Sequence, residues 1–378
     1  MKRLLNIDQN ARYLLFMEAI KFHFREEKIK ELGERFIEVD HRFDADAFFY
    51  NSALNLEQLE YRERVAQIAE SLWNLFADYD GFYQSTLPVL EKWKLQPRDY
   101  RNDFICECIS RIIENEGLHH TELSFDLMEH LTQIFTAEWC IRPYVDQKFE
   151  ELEPRLEKWM QSENHHLRRL VTEGTRPTLP WGKKLQKLDE EPFFAVSFLL
   201  KLAGDESEYV RKSVSNHLND FWKKQPDTAI EICKELVANQ RISDKDLRQA
   251  LRNLIKNGNP DALALVGVSP FGGSVQNFTH SNSVLMGEKL QVELELISNK
   301  EQKVEVDYVL GFMRKDGSYG KKIFKGNRTS APTKQVVKLN FSLPIKPIST
   351  RKYYEGVQKI AVQVNGEILA ESQFYLEF

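Results

Sequence analysis

Residues 163–173 (ENHHLRRLVTE) superpose on residues 206–216 (ESEYVRKSVSN) at an offset of 43 (163 to 206), and this internal repetition restricts the fold more than any other feature of the chain. A third copy, residues 246–253 (DLRQALRN), follows 37 positions later (211 to 248). Each copy sets an apolar anchor ahead of a basic residue and a second apolar residue four positions on: Leu167 and Val171, Val210 and Val214, Leu247 and Leu251. A period of about 40 built this way is the signature of HEAT-like helical repeats, whose units cannot bury their apolar faces alone and therefore stack. In this register Arg168, Arg211 and Arg248 are equivalent, as are Glu173, Asn216 and Asn253, so one polar face is expected to recur along the stack. An earlier copy is read at residues 131–143, where Glu138 precedes Arg142 and Pro143 much as Glu173 precedes Arg176 and Pro177.

The helical period runs from the start to about Val268: Tyr61, Val65, Ile68, Leu72, Leu75 and Phe76 recur at three- and four-residue steps, as do Leu123, Leu127, Leu131, Ile134 and Phe135. Turn signals at Gln96-Pro97, Gln225-Pro226 and Asn257-Gly258-Asn259-Pro260 separate segments of helix-pair size. Beyond Pro260 the apolar period becomes two, at Leu290, Val292, Leu294 and Leu296 and again at Val337, Leu339, Phe341 and Leu343. The turn Asn365-Gly366 joins Val362 and Val364 to Phe374, Leu376 and Phe378 as a closing hairpin. The expected architecture is an all-α HEAT-like solenoid over 1–268, a linker over 269–274, and an all-β immunoglobulin-like sandwich of roughly seven strands over 275–378.

No stretch reads as a signal or membrane span, since the apolar run from Tyr13 to Ile20 contains Glu18 and is followed by Lys21. A cytoplasmic protein, without membrane contact, is expected. Cys106, Cys108, Cys140 and Cys233 lack partners at zinc spacing and read as structural. The net charge of −5 gives no global pull on nucleic acid, but residues 162–184 carry five Lys or Arg against two Glu, and residues 314–328 carry six against one Asp. Charges farther apart than about 8 Å are largely screened, so such patches can still hold phosphate.

Within 162–184, a helix from about Leu167 puts Arg168, Arg169, Thr172, Glu173 and Arg176 on one polar arc and Leu167, Leu170 and Val171 on the buried side. Gly174 and Pro177 end it, and Pro180-Trp181-Gly182 places an indole on the loop that follows. On the residues alone, Arg169 and Glu173 at four-residue spacing are explained by an ordinary surface ion pair worth a few tenths of a kcal/mol. His165 and His166 have no Ser or Cys at a recognisable spacing and read as non-catalytic.

Residues 168–181 (RRLVTEGTRPTLPW) resemble the signature of the AlkC family of DNA alkylation-repair glycosylases. Residues 42–48 (RFDADAF), 135–143 (FTAEWCIRP), 209–220 (YVRKSVSNHLND) and 254–266 (LIKNGNPDALALV) match in the same order, so the resemblance spans most of 40–267. At Trp139 the family more often carries Phe, a change bearing on packing more than on chemistry. The resemblance implies a solenoid that cradles duplex DNA and hydrolyses the N-glycosidic bond of cationic bases, 3-methyladenine and 3-methylcytosine, without full base flipping and without metal or cofactor. It also implies that Glu138 and Glu173 form the acidic pair at the lesion, with Asp220 a further carboxylate and Trp181 against the deoxyribose or the cationic base. Arg142, Arg168, Arg169, Arg176, Arg211, Lys212, Asn216 and Arg248 would hold the DNA, with Lys315, Lys321, Lys322 and Lys325 of the sandwich gripping the opposite side. A monomer acting on alkylated duplex DNA is the expected state, and a non-catalytic HEAT scaffold binding DNA or protein is the competing one.

Overall fold

The computed structural model describes residues 20–96, 103–191, 193–348 and 351–378, and the side chains of 189 and 190 are left aside. Residues 13–19 of the N-terminal apolar run and Pro97 of the Gln96-Pro97 turn lie outside the described residues. The chain divides into two compact units, and the division falls between Asp220 and Phe221.

In the first unit the helices are α1 (Glu26–Ile37), α2 (Ala45–Ala53), α3 (Tyr61–Trp73), α4 (Tyr79–Trp93), α5 (Glu107–Glu116), α6 (Thr121–Ile134), α7 (Arg142–Gln147), α8 (Phe149–Met160), α9 (His165–Gly174), α10 (Lys187–Glu190), α11 (Val196–Leu202) and α12 (Glu208–Asp220). Their starts follow local chemistry. Asp44 and Asp78 accept from the backbone of Ala47 and Gly81, Glu60 and Glu63 form a capping box ahead of α3, and Asn164 accepts from the His166 N–H ahead of α9. Val65, Ile68 and Leu72 of α3 and Leu127, Leu131 and Ile134 of α6 are buried, as their spacing requires.

The repeat is visible as a contact pattern. Arg168 donates through Nη1 to the carbonyls of Ser162 and Glu163, and Arg211 donates through Nη1 to those of Asp205 and Glu206. The same side chain thus braces the same inter-helix turn in successive copies. The outer copies depart from this pattern. Residues 246–253 are not one helix: Leu251 breaks the run between Asp244–Ala250 and Arg252–Lys256, and Arg248 turns to Glu305 and to the Val266 carbonyl. Upstream, Glu138 sits in a turn and Arg142 opens a helix, whereas Arg176 and Pro177 follow one, so that proposed equivalence fails.

The second unit begins with α13 (Pro226–Ala238), α14 (Asp244–Ala250), α15 (Arg252–Lys256) and α16 (Pro260–Leu265), with Pro226 and Pro260 in the first turns of their helices. Among the described residues eight strands follow: β1 (Gly273–His280), β2 (Ser283–Leu285), β3 (Lys289–Ser298), β4 (Gln302–Met313), β5 (Tyr319–Ala331), β6 (Val336–Pro344), β7 (Gly356–Val364) and β8 (Glu367–Glu377). They form a three-stranded sheet in the order β1-β3-β6 and a five-stranded sheet in the order β2-β8-β7-β4-β5. Leu290, Val292, Leu294 and Leu296 of β3 pack with Val304, Val306, Tyr308 and Leu310 of β4 in the core, and Asn365 and Gly366 turn β7 into β8 at positive φ.

The stretch read as a linker is structured. Phe271 belongs to the sandwich core, and β1 already begins at Gly273. The helices after Phe221 share a compact unit with the sandwich: Gln363 donates to the Lys256 carbonyl, Asn365 to that of Ser269, and Gly258 lies against Gly366. Among the described residues no helix is long and apolar enough to cross a membrane.

Candidate functional site

Helix α9 ends in a row of alternating charges. Arg169 pairs with Glu138 and lies 3.6 Å from Glu173; Arg176 bonds Glu173 at 2.6 Å and grips Asp220 through Nε at 2.9 Å and Nη2 at 3.2 Å. Three carboxylates are thereby separated by two guanidiniums, and all five side chains are largely withdrawn from water. The row is built from four segments: Glu138 from the α6–α7 turn, where Thr136 Oγ1 donates to it at 2.8 Å; Arg169 and Glu173 one turn apart on α9; Arg176 from the loop that follows α9; and Asp220 from the last position of α12. The pair that looked like a surface contact is interior.

Glu173 is 6 % exposed. Burial alone would raise its carboxyl, but the Arg169 and Arg176 guanidiniums and the Ser213 hydroxyl, donating at 2.6 Å, hold it below its ordinary value. For Asp220 the balance is reversed: burial outweighs Arg176 and pushes that carboxyl up. Anions fixed by donors in a site poor in water form an environment that stabilises positive charge without reorganising.

The loop after α9 carries Trp181, whose backbone adopts φ 63, a left-handed conformation rare for an indole-bearing residue, and whose side chain is 47 % exposed. Such strain persists because the loop is tied at both ends. Arg142 donates to the carbonyls of Gly174 at 3.1 Å and Arg176 at 3.0 Å, and also to that of Lys183; Trp139 Nε1 donates to Pro180 O at 3.3 Å. Trp181, Trp139, Tyr61, Glu107 and Glu114 line a cleft of about 190 Å³. The roles of Tyr61, Glu107, Glu114, Ser213 and Thr136 were invisible in the sequence, because each lies on a segment with no distinctive motif.

Several residues expected to hold phosphate point inward. Arg142 is 1 % exposed, and burial lowers its guanidinium to about 10. Its Nε and Nη1 donate to carbonyls, and the buried Nη2 has no hydrogen-bond partner among the described residues, so the side chain braces the loop from inside the fold. Arg168 is likewise buried and engaged with Asp205 at 2.6 and 2.9 Å, while Arg169 and Arg176 belong to the charge row. Arg211 is half-buried against its own turn, Asn216 is half-buried, and Arg248 pairs with Glu305 at 2.6 Å. Lys212 of α12 and Lys315, Lys321 and Lys325 of the sandwich are exposed; Lys322 is half-buried, its ammonium lowered by burial and by Arg351 and Lys256.

Residues 133–254 match the family described as DNA alkylation repair enzyme, and residues 274–378 match the C-terminal Ig-like domain of uncharacterised protein YhaZ. The chain is 34 % identical over 259 residues to the uncharacterized protein YhaZ of Bacillus subtilis (strain 168), covering 68 % of this chain and 72 % of that one. The structure of Pseudomonas fluorescens alkylpurine DNA glycosylase AlkC, bound to DNA containing an abasic site analog, superposes with a TM-score of 0.86 at 28 % identity, covering 95 % of this chain and 99 % of the other.

Proposed function

We propose, on the premise that the chain belongs to the AlkC-like family of DNA alkylation repair enzymes, that it is a DNA glycosylase removing cationic N3-methylated bases, 3-methyladenine and 3-methylcytosine, from duplex DNA. The observation that carries this reading is the buried row Glu138–Arg169–Glu173–Arg176–Asp220 beside an outward-facing Trp181.

A methylated base leaves with the bonding electron pair and becomes neutral, so no general acid is needed. The deoxyribose left behind carries oxocarbenium character, which Glu138, Glu173 and Asp220 stabilise through their fixed negative charge. Water then adds to C1′ and gives its proton to a carboxylate. The exposed Trp181 indole packs on the sugar or on the cationic ring, which favours attack on a nucleotide that stays at the protein surface over one drawn into an enclosed pocket. Lys212 of the helical unit and Lys315, Lys321, Lys322 and Lys325 of the sandwich supply contacts to the DNA backbone. The protein acts as a monomer in the cytoplasm.

Glu173→Gln tests the assignment. Release of 3-methyladenine from methylated duplex is expected to fall about 100- to 1,000-fold, with affinity for abasic-site DNA kept or improved because one negative charge is gone. Equal base release by variant and parent would overturn the catalytic role. A parent that binds duplex and releases no base would establish the scaffold reading instead.

A further inference from the structure

Helix α12 packs on α9 and carries a buried stripe at helical spacing: Val210, Ser213, Val214, His217 and Leu218. Ser213 and His217 interrupt its apolar character, and both meet Thr172 of α9. His217 Nδ1 lies 3.0 Å from the Thr172 carbonyl, one of the last-turn carbonyls for which a helix has no internal donor. Ser213 Oγ lies 2.7 Å from Thr172 Oγ1 and 2.6 Å from Glu173 Oε2. In the register of the repeat Leu170, Ser213 and Ala250 are equivalent, and all three are buried. A position that is apolar in the flanking copies thus holds a hydroxyl in the copy whose helix meets Glu173. Burying a hydroxyl is costly unless it is hydrogen-bonded, so packing by itself does not account for Ser213.

The direction of the bonds follows from their chemistry. A hydroxyl donating to a carboxylate makes a bond roughly twice as strong as one between neutral groups. The single Ser213 proton therefore goes to Glu173, and Thr172 supplies the donor to the Ser213 oxygen; the other acceptor open to Thr172, the Arg169 carbonyl, is farther away at 3.1 Å. Glu173 then has Oε2 held by Ser213 and Oε1 held by Arg176 at 2.6 Å.

We propose that Thr172 and Ser213 are positioning residues for Glu173, a two-hydroxyl relay that keeps its carboxylate ionised and in one orientation. The proposal rests on the glycosylase reading, in which Glu173 stabilises positive charge on the sugar, and adds how the neighbouring helix fixes that charge. The charged and titratable groups facing Glu173 are Arg169 on its own helix, Arg176 on the following loop, and His217 and Asp220 on α12, with Glu138 beyond Arg169. Burial raises the Glu173 carboxyl, and Arg169, Arg176 and Ser213 together bring it below its ordinary value. Loss of the Ser213 donor therefore moves it upward. Burial pushes the His217 imidazole down to about 3, so it stays neutral while Glu173 is titrated above that value.

The experiment uses the full chain and its Ser213→Ala, Thr172→Val and Thr172→Ser variants. Ser213→Ala is expected to slow release of 3-methyladenine about 10- to 100-fold, the worth of one hydrogen bond to a charged group, while abasic-site affinity is kept. The acid limb of its rate profile should move up by about 1–2 pH units. Thr172→Val keeps the shape and loses the donor, so it should slow release about three- to tenfold; Thr172→Ser keeps the donor, loses a methyl group, and should stay close to the parent. A packing role predicts the reverse order. The Glu173 titration is also read without turnover, by NMR of isotope-labelled glutamate carboxyls, its signal identified by its loss in Glu173→Gln. An unmoved Glu173 midpoint in Ser213→Ala, or slower release by Thr172→Ser than by Thr172→Val, would overturn the proposal. A parent that releases no base refutes the glycosylase reading and leaves the NMR titration to decide the relay.

Discussion

Arg176→Met replaces the guanidinium that serves two buried carboxylates with an apolar chain of similar length. In the parent, Nη1 lies 2.6 Å from Glu173 and Nε lies 2.9 Å from Asp220, with all three side chains nearly excluded from solvent. At charge-centre separations of about 4 Å and an effective dielectric near 20, each attraction is worth about 4 kcal/mol. The cost of burying Arg176 is recovered in the variant, so the net loss is set by the two stranded anions, at about 3–5 kcal/mol. The pH dependence has a definite sign. Glu173 in the parent is held below its ordinary value, so its contribution is present above the unfolded carboxyl range and lost as pH falls through the lowered value. Asp220 is already raised and costs stability at neutral pH. Without Arg176, Asp220 rises further and Glu173 keeps one cation, Arg169, beside the Ser213 hydroxyl, so the deficit is greatest near neutrality and shrinks as the carboxyls take up protons. Denaturant titrations of parent and variant at about pH 7.5 and pH 5 measure this. A loss below ~1 kcal/mol, or one of equal size at both pH values, would refute the picture of one cation holding two buried anions.

Arg142→Lys keeps the charge but not the three-carbonyl fork, so it should lower stability by about 1–3 kcal/mol and slow base release by loosening the Trp181 loop. The salt dependence of DNA affinity should stay as in the parent, whereas a phosphate contact would lower that slope by about one. Gly258→Ala places a methyl group 2.4 Å from the Gly366 carbonyl at φ 78, and it should destabilise the unit from Phe221 onward by about 1–3 kcal/mol. A melting temperature equal to that of the parent would remove the significance of that close approach.

The sequence determined the periods, and through them the kinds of structure. Three- and four-residue spacing requires helices through Leu265, alternation requires strands from Leu290 onward, and Asn365-Gly366 requires a tight hairpin turn, because these are local preferences that little in the surroundings opposes. It also determined which residue types gather around Glu173. What it left open was depth. Arg142, Arg168 and Arg176 read as an outward cationic grip, yet each is buried, because its partners come from the neighbouring helix or loop about one repeat away: Asp205 is 37 positions from Arg168, Ser213 is 41 from Thr172, and Asp220 is 44 from Arg176. The Tyr61–Glu107 bond spans 46 positions in the same manner. A residue's face on its own helix can be computed from its spacing, but whether that face meets water or a carboxylate depends on the crossing of a second helix. That crossing is decided by packing across the whole unit, and it turned a surface ion pair into a buried row of charges.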